Sequence, residues 1–147
     1  MKTIHKSVLL THSAAEMFAL VTDVARYPEF LPWCNDSAVL ERHSDGMLAR
    51  VGMSMGGLRQ SFTTRNQHET DSAVHMRLVD GPFSMLEGTW RFVPLGDGAM
   101  KACKVEISLR YAFSSQTLAA LVGPVFDKIA GSLVDAFVKR ADQVYGR

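Results

Sequence analysis

The side chains that carry acid–base, nucleophilic and metal chemistry are spread along this chain without the spacing that such chemistry needs. Cys34 and Cys103 lie far apart, with no neighbour at metal-ligand spacing and no base to activate Cys34. Glu87 and Glu106 fall on outward strand positions, so no desolvated carboxylate pair is indicated. The five histidines show neither HxH nor HExxH spacing: His5, His12, His43, His68 and His75. The sequence therefore predicts no catalytic residue, no metal and no required cofactor.

Apolar residues offer a different chemistry, the binding of a hydrophobic molecule. Residues 27–34 (YPEFLPWC) are too rich in proline for a helix interior and unusually apolar for a surface loop. We interpret Phe30, Leu31 and Trp33 as an aromatic lid over a ligand or, alternatively, as a plug of the core.

Length and composition indicate the number of domains and the size of the core that could hold such a site. The chain has 147 residues, of which 47% are hydrophobic and 21% charged, which predicts one domain (residues 1–147) with a sizeable core. A net charge of +1 gives no general attraction to DNA or to an anionic membrane. The N-terminus lacks the apolar region of a secretory signal, and no apolar run approaches the ~20 residues that span a bilayer. We therefore expect a cytoplasmic protein with reduced thiols and no transmembrane segment.

Hydrophobic periodicity predicts the order of the elements. Residues 3–10 alternate as a strand, and a capping box formed by Ser13 and Glu16 begins a helix. Residues 36–113 alternate between turns that are rich in glycine, as in an antiparallel meander. Residues 115–145 have helical period with Ser114 or Ser115 as cap, and Gly123 with Pro124 is expected to kink this helix or split off its first turn. The pattern indicates an α+β fold in which about seven antiparallel strands wrap around a long C-terminal helix.

This order brings an apolar sheet face against an apolar helix stripe. A twisted sheet cannot follow a straight helix along its whole length, so bulky side chains or a ligand must fill the gap. The inward positions hold flexible methionines, aromatic rings and Gly88, which suits an adaptable pocket as well as a solid core. With the segment above, the candidate ligand-binding residues are Phe30, Leu31, Trp33, Met53, Met55, Phe62, Met76, Trp90, Phe92, Tyr111, Phe126 and Ile129.

A second set of residues has outward parity on successive strands. It comprises several arginines, joined by Lys104 and diluted by acidic neighbours, and is either a solvated sheet face or a basic surface for RNA phosphates. The candidate RNA contacts are Arg59, Arg65, Arg77 and Arg91, with Arg110 on the same face.

Several motifs resemble those of a known family over essentially the whole length. They are residues 27–34 (YPEFLPWC), 62–66 (FTTRN), 80–83 (DGPF), 86–92 (LEGTWRF), 126–130 (FDKIA) and 133–137 (LVDAF). The chain resembles the START-like superfamily of polyketide cyclase/dehydrase and lipid-transport type. Within it, the chain is similar to the ubiquinone-binding branch, which contains mitochondrial coenzyme Q-binding proteins and bacterial ribosome-association toxins of the RatA type.

The resemblance implies a helix-grip (START/Bet v 1-like) fold with a hydrophobic tunnel for ubiquinone or another polyprenyl lipid. Its first functional expectation is a non-enzymatic quinone-binding protein that supports cellular respiration and touches membranes only transiently. The alternative is a toxin that binds the large ribosomal subunit and blocks subunit association. A cyclase or dehydratase is a weaker alternative, because it needs a desolvated polar group in the pocket that the sequence does not indicate.

Overall fold

The structure is a computed structural model that describes residues 1–55, 57–96 and 101–146, the side chain of Met55 excepted. Seven strands and two α-helices follow the predicted order, with a short 3₁₀ helix, Val24–Glu29, after the first α-helix. The strands are β1 Lys2–Leu10, β2 Cys34–His43, β3 Gly46–Met55, β4 Leu58–Glu69, β5 Ala73–Asp80, β6 Phe83–Pro94 and β7 Cys103–Phe113, and the helices are α1 Ala14–Thr22 and α2 Gln116–Tyr145.

The strands form one antiparallel sheet in the order β1-β7-β6-β5-β4-β3-β2. Five of the six pairings join strands that are consecutive in the chain, and β1 closes the order by pairing with β7. The register shifts at Thr63 and Thr64 of β4, and again between Phe83 and Met85 of β6. Such irregularities bend and twist a sheet, which gives this one a concave face. The predicted fold class is therefore confirmed.

Alternation along the strands separates the two faces as predicted. On β3, Met47, Ala49, Val51 and Met53 are all buried, whereas Met55 lies outside the described side chains. On β7 the alternation is complete, and Ile107 is fully buried between half-exposed neighbours. The inner face of the sheet therefore forms one wall of the core.

The capping signals read from the sequence define both helix starts. Ser13 Oγ accepts a hydrogen bond from the Glu16 backbone nitrogen at 3.0 Å, and Glu16 Oε1 accepts one from the Ser13 nitrogen at 2.8 Å. Ser115 caps α2 by accepting from the Leu118 nitrogen at 3.1 Å. The helix then runs through Pro124 without a break, so the expected separation of a first turn is wrong.

α2 is also long and apolar enough to cross a membrane, by length and composition alone. An 18-residue stretch of it has a mean hydropathy of 1.4, which corrects the expectation that no apolar run approaches this length. In this fold α2 lies close to β1, β7 and α1, and eight of its residues are buried. Core helices of folded domains share this composition, so the stretch is weak support for a membrane span.

Two glycines make a matched test of the strand register. A Cβ at Gly46 would lie 1.8 Å from the backbone oxygen of Asn66, whereas one at Gly131 in α2 would meet no atom within 4 Å. We expect Gly46→Ala to destabilise the protein by about 1–3 kcal/mol, because the β4 backbone must move. Gly131→Ala should stabilise it by up to about 1 kcal/mol through helix propensity. Urea unfolding measures both, and equal effects would contradict the pairing of β3 with β4.

Candidate functional site

An apolar cavity lies between the concave sheet face and α2. Its helix side is built by Phe126, Ile129, Ala130, Leu133 and Phe137. These positions follow the i, i+3, i+4, i+7 and i+11 pattern, which places them on one face of a helix. Phe126 and Phe137 are about 16 Å apart along the helix axis, and the small side chain of Ala130 lies between them. The helix thus lines the cavity with an aromatic ring at each end, Phe126 and Phe137.

The remaining wall comes from five strands, the 3₁₀ helix and the loop before β2. The cavity has a volume of about 90 Å³. Three of its lining residues are small, Ala49 on β3, Gly88 on β6 and Ala130 on α2. These elements contribute Val24, Tyr27, Trp33, Ala49, Val51, Met53, Phe62, Thr64, Asn66, Met76, Leu86, Gly88, Trp90, Ile107 and Leu109.

Two clusters of aromatic rings close the ends of the cavity. At one end the Phe137 ring lies edge-to-face against Phe30, Trp90 and Tyr27, with centroids 5.2, 5.3 and 5.5 Å away. At the other end the Phe126 ring is 5.0 Å from that of Phe83. Edge-to-face pairs are favourable beyond the area they bury, so both ends are well packed. Phe137, which the sequence interpretation did not select, is the centre of the first cluster.

The wall contains one buried polar pair. Thr64 Oγ1 donates a hydrogen bond to Asn66 Oδ1 at 2.7 Å, and the two residues are 5% and 8% exposed. The sequence indicated no desolvated polar group in the pocket, and Thr64 with Asn66 corrects this expectation. The signal was present, because Thr64 and Asn66 follow Phe62 at two-residue spacing on the inward face of β4.

The structure brings together seven of the predicted ligand-binding residues and separates others. The cavity wall contains Trp33, Met53, Phe62, Met76, Trp90, Phe126 and Ile129. Four others line no part of the cavity: Leu31, Phe92 and Tyr111, which are buried, and Phe30, which is half-buried. Met55 lies outside the described side chains.

The segment 27–34 combines the two interpretations made from the sequence. Leu31 is fully buried and acts as a core plug. Trp33 lines the cavity, whereas Phe30 is half-buried, with the guanidinium of Arg140 5.0 Å from its ring centroid. Tyr27 donates its hydroxyl proton to the backbone oxygen of Val21, and burial followed by the nearby charges of Cys34 and Asp23 raises its pKa. This end is therefore held shut by packing and not by an open lid.

Phe92 and Tyr111 are buried for other reasons. The Phe92 ring stacks on Trp90 at 6.2 Å and packs against Phe18 of α1. Tyr111 donates its hydroxyl proton to Asp127 of α2, whose other oxygen accepts from Lys2 Nζ at 2.8 Å. Burial and this hydrogen bond raise the pKa of Tyr111. Tyr111 therefore fastens β7 to α2 instead of presenting its hydroxyl to the cavity.

Among the described residues, Tyr27 is the titratable side chain of the cavity wall, and the others lie outside it. His12 is buried at 1% exposure, with Nε2 2.8 Å from Asp142 Oδ1. Cys34 and Cys103 are buried free thiols, and burial raises the pKa of Cys103 to about 11. Within the described residues, no three His, Cys, Asp or Glu side chains are grouped to hold a metal ion.

The outer sheet face carries a second, polar depression, here called the outer groove. Its volume is about 850 Å³, and Arg65, Arg77 and Arg110 line it together with His43 and His75. Arg59 lies in a separate depression beside Asp36 and Arg50, and Arg91 lines neither. All five predicted arginines are exposed, but only three of them converge.

Comparison with known proteins identifies the family. Residues 10–138 match the family described as polyketide cyclase / dehydrase and lipid transport. The chain belongs to this family. Its fold is that of a START superfamily protein from Mycobacterium smegmatis, with a TM-score of 0.76 at 23% identity, covering 97% of this chain and 98% of that one. An aromatase/cyclase from Streptomyces gives 0.82 at 13% identity, covering 97% and 94%.

Relatives of higher identity carry other names. The ribosome association toxin RatA of Vibrio cholerae is 47% identical over 99% of both chains. RatA of Escherichia coli is 41% identical over 99% of this chain and 90% of its own. The mitochondrial coenzyme Q-binding protein COQ10 homolog B of Xenopus laevis is 29% identical over 97% of this chain and 59% of its own. The family resemblance read from the motifs is confirmed.

The contact of Tyr111 with Asp127 makes a pH prediction. Burial raises the pKa of Asp127, but the hydrogen bonds from Lys2 and Tyr111 outweigh it, so the pKa lies below its usual value. The unfolded chain then binds this proton more tightly, and stability rises with pH. The contribution is complete above the unfolded pKa of about 4 and is lost as the pH falls through the folded value.

We therefore expect the unfolding free energy of Asp127→Asn to change less between pH 7 and pH 3 than that of the wild type. Tyr111→Phe, which keeps the contact with Lys2, should cost about 1 kcal/mol at pH 7. Urea titrations at both pH values test this, and identical pH dependence of wild type and Asp127→Asn would refute it.

Proposed function

We propose that this protein binds a neutral, ring-bearing lipid of the ubiquinone class in the cavity and catalyses no reaction on it. The observation that carries the proposal is the composition of the wall. Among the described residues that line it, none is Asp, Glu, Lys, Arg, His or Cys, and aromatic rings close both ends. Such a wall favours apolar, stackable molecules. A relative named as a coenzyme Q-binding protein supports the same ligand class.

The size of the cavity determines how a ligand enters. A volume of about 90 Å³ is well below the roughly 300 Å³ at which ligand pockets begin. Binding therefore requires side chains to withdraw. Met53 and Met76 are suited to this, because an unbranched thioether side chain changes rotamer at low cost. The polyprenyl tail would have to extend out of the cavity. Exchange of the ligand with a membrane would need transient contact between the protein and that membrane.

The absence of catalysis is supported by the chemistry of the wall. The aromatase/cyclase of the same fold makes an enzymatic role a fair alternative, and Thr64 with Asn66 supplies desolvated polar groups for it. Neither side chain exchanges a proton near neutral pH, however. The phenol of Tyr27 is committed to Val21 and its pKa is raised, so it is a poor acid or base for a bound substrate.

A cavity-filling variant with a matched control tests the proposal. Ala130→Leu adds bulk to the cavity wall, whereas Ala120→Leu adds the same bulk on the exposed side of α2. Protein purified from a bacterial host should yield an apolar compound on organic extraction, identified by mass spectrometry. Ubiquinone with one isoprene unit should raise the melting temperature of the wild type and of Ala120→Leu. Ala130→Leu should need at least about ten times more ubiquinone for the same increase. Empty wild-type protein that ubiquinone does not stabilise would refute the proposal.

We propose ribosome association as a second function, as the names of the relatives at 41–47% identity indicate. The specific observation is in the outer groove, where Arg65 and Arg77 are paired directly across β4 and β5. Like charges at such positions destabilise a sheet, and a bound phosphate would relieve this cost. Glu87 forms a salt bridge with Arg110 at 3.1 Å and also faces Arg77 across β5 and β6, so Arg65 and Arg77 together keep an excess of positive charge in the groove. A cytoplasmic location, which ribosome association requires, is part of this proposal.

Charge reversal of the groove arginines tests this second function. Arg65, Arg77 and Arg110→Glu should abolish cosedimentation with large ribosomal subunits, because RNA affinity depends on neutralised phosphates. The control, Lys6, Lys128 and Lys139→Glu, changes the net charge equally at exposed positions elsewhere and should retain most of the binding. Both variants should bind ubiquinone as the wild type does. Equal loss in the two variants would leave only a net-charge effect and contradict a specific groove.

A further inference from the structure

We propose that the side-chain amide of Asn66 is the polar anchor of the cavity and selects ligands that bear a hydrogen-bond acceptor oxygen. This inference rests on the proposed binding of a hydrophobic molecule and names the chemical class that the site prefers. The class is a neutral apolar ring with a carbonyl or ether oxygen.

The hydrogen bond between Thr64 and Asn66 leaves one donor of the wall available. Thr64 Oγ1 donates to Asn66 Oδ1 at 2.7 Å, so the oxygen of the amide is occupied. The amide nitrogen carries two protons and is the donor that remains. Asn66 is only 8% exposed and lines the cavity, so a ligand oxygen is the natural acceptor for this donor. Burial strengthens such a bond, since water competes poorly for it.

The surroundings of Asn66 define what else the ligand must be. Asn66, Met76 and Gly88 are neighbours in one row across β4, β5 and β6. A Cβ at Gly88 would lie 2.5 Å from Cδ2 of Leu109 and 2.9 Å from Cε of Met76, so the tips of both side chains pack over the glycine. Rotation of these two tips would free space next to the Asn66 amide. Trp90, two residues after Gly88, offers an aromatic face beside that space.

The same surroundings exclude two other ligand classes. A fatty acid would bring a carboxylate into a wall whose described residues include no cation, and an unpaired buried charge is very costly. A plain hydrocarbon would leave the amide nitrogen of Asn66 without a partner, which also costs binding free energy. A ring with an acceptor oxygen avoids both costs.

A pair of probes with the same carbon skeleton tests the anchor. Duroquinone and durene both carry four methyl groups on a six-membered ring, but only duroquinone has carbonyl oxygens. The wild type should bind duroquinone about tenfold more tightly than durene, the worth of one buried hydrogen bond. Asn66→Leu should bind the two probes equally. Thr64→Ser keeps the hydroxyl that orients the amide and should keep the preference.

Nuclear magnetic resonance gives a readout that does not depend on a variant. Duroquinone should shift the side-chain amide protons of Asn66 in the wild type to lower field, whereas durene should not. Preference for duroquinone that survives in Asn66→Leu, or an unchanged Asn66 amide signal in the saturated wild type, would overturn the anchor while leaving the proposed function standing. Failure of the wild type to bind duroquinone and ubiquinone alike would instead overturn the proposed function.

Discussion

Packing of the α2 stripe against the concave sheet face is the interaction on which the rest of the structure depends. The stripe must be buried, and the sheet is the surface that buries it. Contacts at two points hold the helix in place: Lys2 and Tyr111 bind Asp127 in its first half, and His12 binds Asp142 near its end. Between these two points the twisted sheet departs from the straight helix, and the cavity is the space that remains.

Small residues decide where that space is, and flexible ones decide how large it becomes. Ala49, Gly88 and Ala130 line the cavity from three different elements. The tips of Leu109 and Met76 pack over Gly88, and the cavity volume stays near 90 Å³. A protein built in this way stays well packed without a ligand and would admit one by moving several flexible side chains. Stability and binding then draw on the same packing free energy.

The sheet has a different chemistry on each face, and β4 takes part in both. Arg65 lines the outer groove, and Asn66, the residue after it, lines both the groove and the cavity. A ligand that displaces the β4 backbone near Asn66 would also move Arg65 relative to Arg77. The two proposed functions therefore share one strand, through which coupling between them would have to pass.

Local sequence pattern determined the elements, because two-residue and 3.6-residue periods are properties of neighbouring residues. It placed the capping residue Ser13, narrowed the cap of α2 to Ser114 or Ser115, and predicted about seven strands and the buried face of β3. It also identified seven wall residues, since inward parity follows from alternation. The quinone-binding interpretation itself came from the motifs of the family.

Only the tertiary structure decided which inward residues face open space and which face one another. Tyr111 and Phe92 have the same inward parity as Trp90 but do not line the cavity. The Tyr111 hydroxyl donates to Asp127 and the Phe92 ring packs against Phe18, and both partners are distant in sequence. Phe137 became the centre of an aromatic cluster through partners on three elements. The volume near 90 Å³ and the hydrogen bond from Thr64 to Asn66 depend on distances of a few ångströms between packed side chains, which periodicity does not encode.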